Sequence, residues 1–152
     1  MNNNRIWDPE NKYSLGNVYS FKHWTFEISF RQHTLACFIF FLNRYAEEIH
    51  ELTNEEWLQF KKLTKIVDTL YQNSFFKPDK INYLQLGNKV KHLHFHGIPR
   101  YERSINFNGK VWVDRSFGVA PLWTYEEADP NDIIEIKKLI NIELFKNSGL
   151  QI

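Results

Sequence analysis

Three histidines alternate with apolar residues in one short run of the chain, His92-Leu93-His94-Phe95-His96. Side chains along a β-strand point alternately to opposite faces. The run would therefore place the three imidazoles on one face, with Leu93 and Phe95 on the other. The apolar face would pack into a core, and the imidazole face would remain available for chemistry.

Imidazole is a nucleophile, a proton carrier near neutral pH and a metal ligand. Three imidazoles on one strand face thus indicate either a histidine nucleophile or a metal site. The chain has three further histidines, His23, His33 and His50, which stand apart from the run. Isolated surface histidines are usually solvated side chains without a catalytic role, and we interpret these three in that way first.

The run continues as Gly97-Ile98 and Pro99-Arg100. The whole stretch resembles the motif of the histidine triad (HIT) family, in which histidines alternate with hydrophobic residues. Its Pro-Arg ending is similar to the nucleotide-hydrolase branches of that family. The resemblance implies a nucleotidyl hydrolase or transferase, with diadenosine polyphosphate hydrolysis as the first choice. In a weaker form it covers residues 18–101.

The resemblance also implies a role for each histidine of the run. His94 would attack the α-phosphorus of a nucleotide and form a covalent nucleotidyl-imidazole intermediate, while its other ring nitrogen donates a hydrogen bond that fixes the tautomer. His96 would bind the phosphate oxygens, and His92 would orient the site. The covalent step needs no metal or other cofactor, and a divalent ion would enter only with the substrate phosphates. Family members are commonly homodimers whose sheets join, so a homodimer is expected.

Polar residues upstream extend the resemblance. Asn82 and Asn88 stand at positions that the family places near the phosphates or the ribose, although Asn88 after Gly87 is equally typical of a turn. Many members have a Gly-His pair entering the second strand, where this chain has Ala36-Cys37. His33 lies close enough to substitute for that histidine in space.

Two further groups of residues are candidates for substrate binding. Arg100 can offer a bidentate fork to a phosphate or to an interface carboxylate. A purine needs an apolar slot, for which Ile28, Phe30 and Phe38 are candidates, although packing in a core explains these three equally well.

Two alternatives remain open at this stage. His94 and His96 together with Glu102 and Gly109 come near the first cupin motif, which would make a metal-dependent enzyme, although the spacing from His96 to Glu102 is too long. The second alternative is a protein that binds nucleotides without turning them over, and the presence of His94 argues against it.

Strands and helices follow from periodicity. The alternation of apolar and polar residues predicts one strand over residues 18–30, and a short apolar run predicts a buried strand over 35–42. A strand over 81–86 would form a hairpin with the histidine strand through Gly87-Asn88.

A capping box at Thr53 predicts a helix over 53–72, after a short helix over 44–52. Asp129 and Pro130 predict the start of a second main helix. Residues 106–123 are expected to form a loop with a short strand.

Composition sets the broad class. The 19 basic and 18 acidic residues balance, so polymeric nucleic acid is an unexpected partner. A single cysteine, Cys37, excludes an intramolecular disulfide and fits a reducing compartment. With no apolar signal core or membrane span, the sequence predicts a soluble, cytoplasmic protein that does not bind membranes.

Strands interrupted by two well-separated helices indicate an α+β fold. We expect a HIT-like antiparallel sheet of about five strands with two main helices. Residues 1–17 would form an N-terminal arm and residues 18–152 a single domain, with a motif region at 80–101 and a C-terminal extension at 102–152. That extension would either complete a partner's active site or cover a sheet edge.

Overall fold

A computed structural model of the chain describes residues 12–146. Its centre is one antiparallel sheet of five strands: β1 (Asn17–Ser20), β2 (Trp24–Ile28), β3 (Phe38–Leu42), β4 (Lys80–Leu84) and β5 (His94–Arg100). The strands lie side by side in the order β1-β2-β3-β5-β4. The histidine strand β5 is therefore interior, between β3 and β4, where both of its edges are hydrogen-bonded.

Two helices accompany the sheet, α1 (Asn54–Asn73) and α2 (Pro130–Lys146). The Thr53 hydroxyl accepts the Glu56 amide and the Glu56 carboxylate accepts the Thr53 amide, so the predicted capping box forms. At the second helix, the Asp129 carboxylate accepts the Asn131 amide. No helix within residues 12–146 is long and apolar enough to cross a membrane. The α+β fold with two main helices is thus confirmed.

One face of the sheet carries the core. Alternation along the strands puts Trp24, Phe26, Phe38, Phe40 and Phe95 on that face, and these residues are buried. They pack with apolar residues of both helices, and the Phe60 ring of α1 lies 4.5 Å from the Phe95 ring. The helices leave the opposite face, which carries His94 and His96, uncovered.

A close contact explains the glycine of the motif. A Cβ atom on Gly97 would lie 2.1 Å from the Phe38 ring, which sits opposite it in the β3–β5 register. Only glycine lets this core ring lie flat against the histidine strand. Phe38 is thereby a core residue, as the packing interpretation expected.

Several predicted elements differ in their limits. The single strand expected over 18–30 is two strands, because the Phe21 amide bonds the Trp24 carbonyl and turns the chain. The strand expected over 35–42 begins only at Phe38, since Ala36 has a positive φ of 67°. The short helix over 44–52 is a single 3-10 turn, Ile49–Glu51. β4 does pair antiparallel with β5, but residues 85–93 form a long loop between them rather than a tight turn.

The ends of the described chain also hold more structure than expected. Residues 106–123 include most of a hairpin, β6 (Ile105–Phe107) and β7 (Lys110–Trp112), with positive φ at Asn108 and Gly109. Lys12–Gly16 is a 3-10 helix that packs on the sheet, and a Cβ atom at Gly16 would meet the Ile28 carbonyl oxygen at 2.3 Å. The rest of the predicted N-terminal arm, residues 1–11, lies outside the described residues.

Candidate active site

A cavity of about 370 Å³ opens on the uncovered face of the sheet, a size that suits a small-molecule ligand. Sheet residues form its floor, and four other segments form its walls: the 3-10 helix Lys12–Gly16, the chain just after β2, the β4–β5 loop and the chain before α2. Its lining comprises Tyr13, Glu27, Ser29, Phe30, Arg31, Ile39, Leu86, Gly87, Asn88, Lys89, Val90, His94, His96, Trp123, Tyr125 and Glu127.

His94 is held in one tautomer. Its Nδ1 lies 2.6 Å from the His92 carbonyl oxygen. A carbonyl oxygen can only accept, so Nδ1 carries the proton and Nε2 keeps a free lone pair. Burial lowers the pKa of His94, and the bond to His92 opposes that effect only in part. The ring is therefore neutral at pH 7, as a nucleophile must be.

His96 lies beside it in the cavity, with ring centroids 4.9 Å apart. Its own ring meets the Trp123 indole edge to face at 5.1 Å. Burial lowers the pKa of His96 to about 3. Electrostatic repulsion from His94, His33 and Arg31, which disfavours a positive charge on the ring, lowers it further. His96 is thus a neutral hydrogen-bonding group in the free protein rather than a cation.

His33 supports this wall from behind. Its ring stacks on Trp123 at 3.7 Å, and its Nδ1 accepts the Thr124 amide. Nε2 then carries the proton and points toward no acceptor among the described residues. Burial, followed by the charge of Arg31, lowers the pKa of His33 to about 4. His33 does not line the cavity, and its described contacts hold Trp123 against His96.

The family model of the HIT domain matches residues 34–103, which include β3, α1, β4 and β5. Residues 34–103 thus correspond to a histidine triad domain. No curated protein matches the sequence.

Solved structures of HIT proteins share this fold at low sequence identity. A zinc-bound histidine triad family protein from Mycobacterium smegmatis aligns with a TM-score of 0.63 at 16% identity, over 89% of this chain and 87% of its own. A histidine triad nucleotide-binding protein from Sulfolobus tokodaii gives 0.65 at 18%, over 86% and 84%. Diadenosine triphosphate hydrolase from Plasmodium falciparum gives 0.65 at 13%, over 87% and 78%. At these identities the likeness establishes the fold.

Within the HIT domain, His92 differs from the other two histidines of the run. It precedes β5, and its side chain stacks on Tyr45 outside the cavity lining. Its Nε2 donates to the Leu42 carbonyl oxygen at 2.6 Å. His92 therefore contacts His94 through its backbone carbonyl, whereas its imidazole does not join those of His94 and His96 in the cavity lining.

Besides His33 and Phe38, three more of the expected substrate-binding residues lie outside the cavity lining. The Arg100 guanidinium is buried and forks onto Asp114, with Nε to Oδ2 at 2.7 Å and Nη2 to Oδ1 at 3.2 Å. Asn82 accepts from the same guanidinium at 3.0 Å. Ile28 is fully buried in the core, because its side chain points to the helix side of the sheet. The structure therefore does not bring these three side chains into the cavity with His94 and His96.

Phe30 and Asn88 do line the cavity, as expected, and residues missed by the sequence join them. Arg31 and Lys89 add positive charge to its walls, while Trp123 and Tyr125 come from the C-terminal extension. The extension thus contributes to the cavity of its own chain. Glu27 lies in the floor, and its only sequence signal was a polar position in the alternating pattern of residues 24–30.

The cupin alternative is wrong. Glu102 is exposed just after β5, with its amide bonded to Asp79, and Gly109 sits in the β6–β7 turn. Within residues 12–146, no three histidine, cysteine or carboxylate side chains are grouped as metal ligands. The histidines instead sit in the HIT arrangement on the sheet.

Proposed function

We propose that this HIT domain is a nucleotidyl hydrolase or transferase that works through a covalent nucleotidyl intermediate on His94. One observation carries the proposal: the His94 Nδ1 proton is bound to the His92 carbonyl oxygen, so the Nε2 lone pair is available in a cavity. That is the tautomer a phosphorus-attacking imidazole requires.

The reaction follows from that lone pair. Nε2 of His94 attacks the α-phosphorus, the Nε2–P bond forms, and the bond from phosphorus to the leaving oxygen breaks with its electron pair on that oxygen. A water oxygen then attacks the same phosphorus, the Nε2–P bond breaks and the proton of the water is released. Another hydroxyl acceptor in place of water gives transfer. His92 stabilises the positive imidazole of the intermediate by keeping its carbonyl oxygen on Nδ1–H.

The state of His96 favours phosphoric anhydrides as substrates. A nucleoside polyphosphate leaves as a stable anion and needs only hydrogen bonds, which a neutral His96 can donate. A phosphoramidate releases an amine that must receive a proton. A His96 with a pKa of about 3 is not an imidazolium at pH 7 in the free protein, so it has no acidic proton to transfer. Arg31 and Lys89 in the walls suit the negative polyphosphate chain. We therefore infer a dinucleoside polyphosphate, such as diadenosine tetraphosphate, as the substrate.

Turnover of two substrates tests the proposal. Purified protein is incubated with diadenosine tetraphosphate and with adenosine 5′-phosphoramidate, and the products are separated chromatographically. We expect AMP and ATP from the first at a higher kcat/KM than AMP from the second. His94→Ala should lower the first rate at least about 1,000-fold, whereas His50→Ala, an exposed histidine on the 3-10 turn, should not change it. Equal rates for wild type and His94→Ala contradict the proposal.

A further inference from the structure

A buried carboxyl group stands in the floor of the cavity without a function in the chemistry described above. Glu27 is 3% exposed and lies on β2, on the same face as the catalytic histidines. Its Oε2 has no hydrogen-bond partner among the described residues. Buried polar groups normally have partners, so the open position indicates a ligand group that completes it.

Glu27 lies two strands away from His96, at a distance from the reacting atoms. In the sheet register Glu27 lies opposite Ile39, and Ile39 lies opposite His96. Two strand spacings put the backbone of Glu27 roughly 9–10 Å from that of His96. Glu27 is therefore too far away to transfer a proton to a phosphate bound at His96. The separation is comparable to the distance between the 5′-phosphate of an extended nucleotide and the far edge of its base.

Apolar surfaces occupy the space between. Ile39 forms the floor between the carboxyl and His96, and Phe30 and Tyr125 contribute rings to the walls. The Tyr13 ring holds Phe30 edge to face at 5.2 Å. A flat heterocycle suits such a slot, because its faces are apolar and its edge is polar.

We propose that Glu27 reads the base of the bound nucleotide, its carboxyl group pairing with N1 and the 6-amino group of adenine. The inference rests on the proposed function, because it requires a nucleotide in the cavity. It goes further by assigning base selectivity to one residue.

The protonation state suits a base edge that carries one hydrogen-bond donor and one acceptor side by side. Burial raises the pKa of Glu27 well above its ordinary value, so the neutral carboxylic acid is favoured. That acid presents one donor and one acceptor side by side. Adenine offers the complementary acceptor and donor, N1 and the 6-amino group. Guanine offers the acceptor O6 and the donor N1–H, which the same acid can also pair. A purine without a 6-substituent lacks one of the two partners, so the acid disfavours that base.

Equilibrium binding of two monophosphates tests the pairing. Isothermal titration compares AMP with purine riboside 5′-monophosphate, which lacks the 6-amino group. Wild type should bind AMP about tenfold more tightly than this analogue, the cost of an unmatched buried polar group. Equal affinities for the two, or a preference for the analogue, overturn the inference.

Variants separate hydrogen bonding from packing. Glu27→Leu should bind AMP as weakly as wild type binds the amino-free analogue. Glu27→Gln keeps one donor and one acceptor, so it should retain the preference for AMP, and it serves also if the leucine variant fails to fold. Asn17→Ala is the matched control: Asn17 lies opposite Glu27 in β1, has an unbonded buried Oδ1 within the described residues, and does not line the cavity. Loss of the AMP preference in Glu27→Gln or Asn17→Ala contradicts the pairing.

Adduct formation distinguishes this failure from failure of the proposed function. Mass spectrometry after reaction of wild type and Glu27→Leu with diadenosine tetraphosphate, at a concentration below saturation, follows the nucleotidyl group on His94. Adducts that form equally fast in both proteins contradict only the role of Glu27. No adduct and no nucleotide binding contradict the proposed function and, with it, the role of Glu27.

Discussion

At the scale of the residue, the tautomer of His94 is the feature from which the chemistry follows. Its Nδ1 proton is committed to a backbone oxygen 2.6 Å away, so no other side chain has to activate Nε2. The carbonyl belongs to His92, two residues earlier. A local contact of this kind survives changes elsewhere in the chain and was implied by the motif alone.

The pH dependence of catalysis follows from the same residue. Burial lowers the pKa of His94 below its ordinary value near 6.5, so the nucleophile stays neutral into mildly acidic solution. We expect kcat/KM for diadenosine tetraphosphate to be constant from pH 8 to below 6.5 and to fall only at lower pH. Initial rates across this range check it, and an inflection at or above 6.5 contradicts the neutral, buried nucleophile.

The sequence reached only the local part of the site. His94, His96, Phe30 and Asn88 lie at the cavity, and each belongs to the motif, to its upstream loop or to the chain just after β2. Arg100 was expected at a phosphate or at an interface carboxylate, because its partner within the chain could not be foreseen. That partner, Asp114, follows a hairpin whose return path no periodicity indicates.

At the scale of the element, this buried pair anchors the chain that walls the site. The Arg100 guanidinium also bonds the carbonyl oxygens of Ser116 and Val119. Burial works to raise the pKa of Asp114, but bonds from Arg100 and from two backbone amides outweigh it and keep that pKa low. The segment from Asp114 therefore leads to Trp123 on a fixed course across the sheet face.

Breaking the pair should cost much of the stability of the domain. Arg100→Gln leaves Asp114 as an unpaired buried charge, which costs about 3–5 kcal/mol and lowers Tm by roughly 10 °C. Thermal unfolding followed by circular dichroism measures this. Arg103→Gln is the control, because that exposed guanidinium bonds only the carbonyl oxygens of Phe76 and Lys77 among the described residues. A loss in Arg100→Gln no greater than in the control contradicts an anchoring role.

Helices were easier to predict than strand limits. Both main helices begin where capping residues indicated, because a cap is a hydrogen bond between residues only two or three positions apart in the sequence. The strand expected over 18–30 breaks at Phe21–His23, because the chain returns there as a tight turn that apolar alternation does not reveal. The long 85–93 loop was likewise hidden, since Gly87-Asn88 is equally compatible with a hairpin.

At the scale of the whole molecule, the buried imidazoles make stability depend on pH. The pKa values of His33 and His96 are about 4 and 3 in the folded protein, against about 6.5 when unfolded. Between these values the unfolded chain binds protons that the folded protein does not, so the free energy of unfolding falls as the pH falls. Glu27 acts in the opposite direction, because its pKa is raised by burial.

The effect of the buried histidines on stability is therefore measured in the Glu27→Gln variant, which lacks the opposing carboxyl group. We expect its Tm to fall steadily from pH 7 to pH 5, above the range in which most carboxylates titrate. His33→Asn in the same background should show a shallower fall. A Tm that does not change between pH 7 and pH 5 contradicts neutral buried histidines.

We propose that the sheet joins that of a second copy along its edge strand β4, where Leu84 is 36% exposed. Light scattering should give twice the 18.3 kDa mass of the chain. Leu84→Arg should give the monomer mass, whereas Tyr19→Arg on the opposite edge strand β1 should leave the dimer intact. A monomeric wild type, or a dimer lost only in Tyr19→Arg, contradicts this arrangement.

The nucleophile itself is tested most directly by the covalent intermediate. Wild type and His94→Ala are mixed with diadenosine tetraphosphate, quenched rapidly without acid, and analysed by intact-protein and peptide mass spectrometry while AMP and ATP are followed. We predict an adenylyl group on the peptide that contains His94, formed as ATP is released and absent from the variant. Undiminished turnover in His94→Ala, or an adenylyl group on another residue, contradicts the assignment.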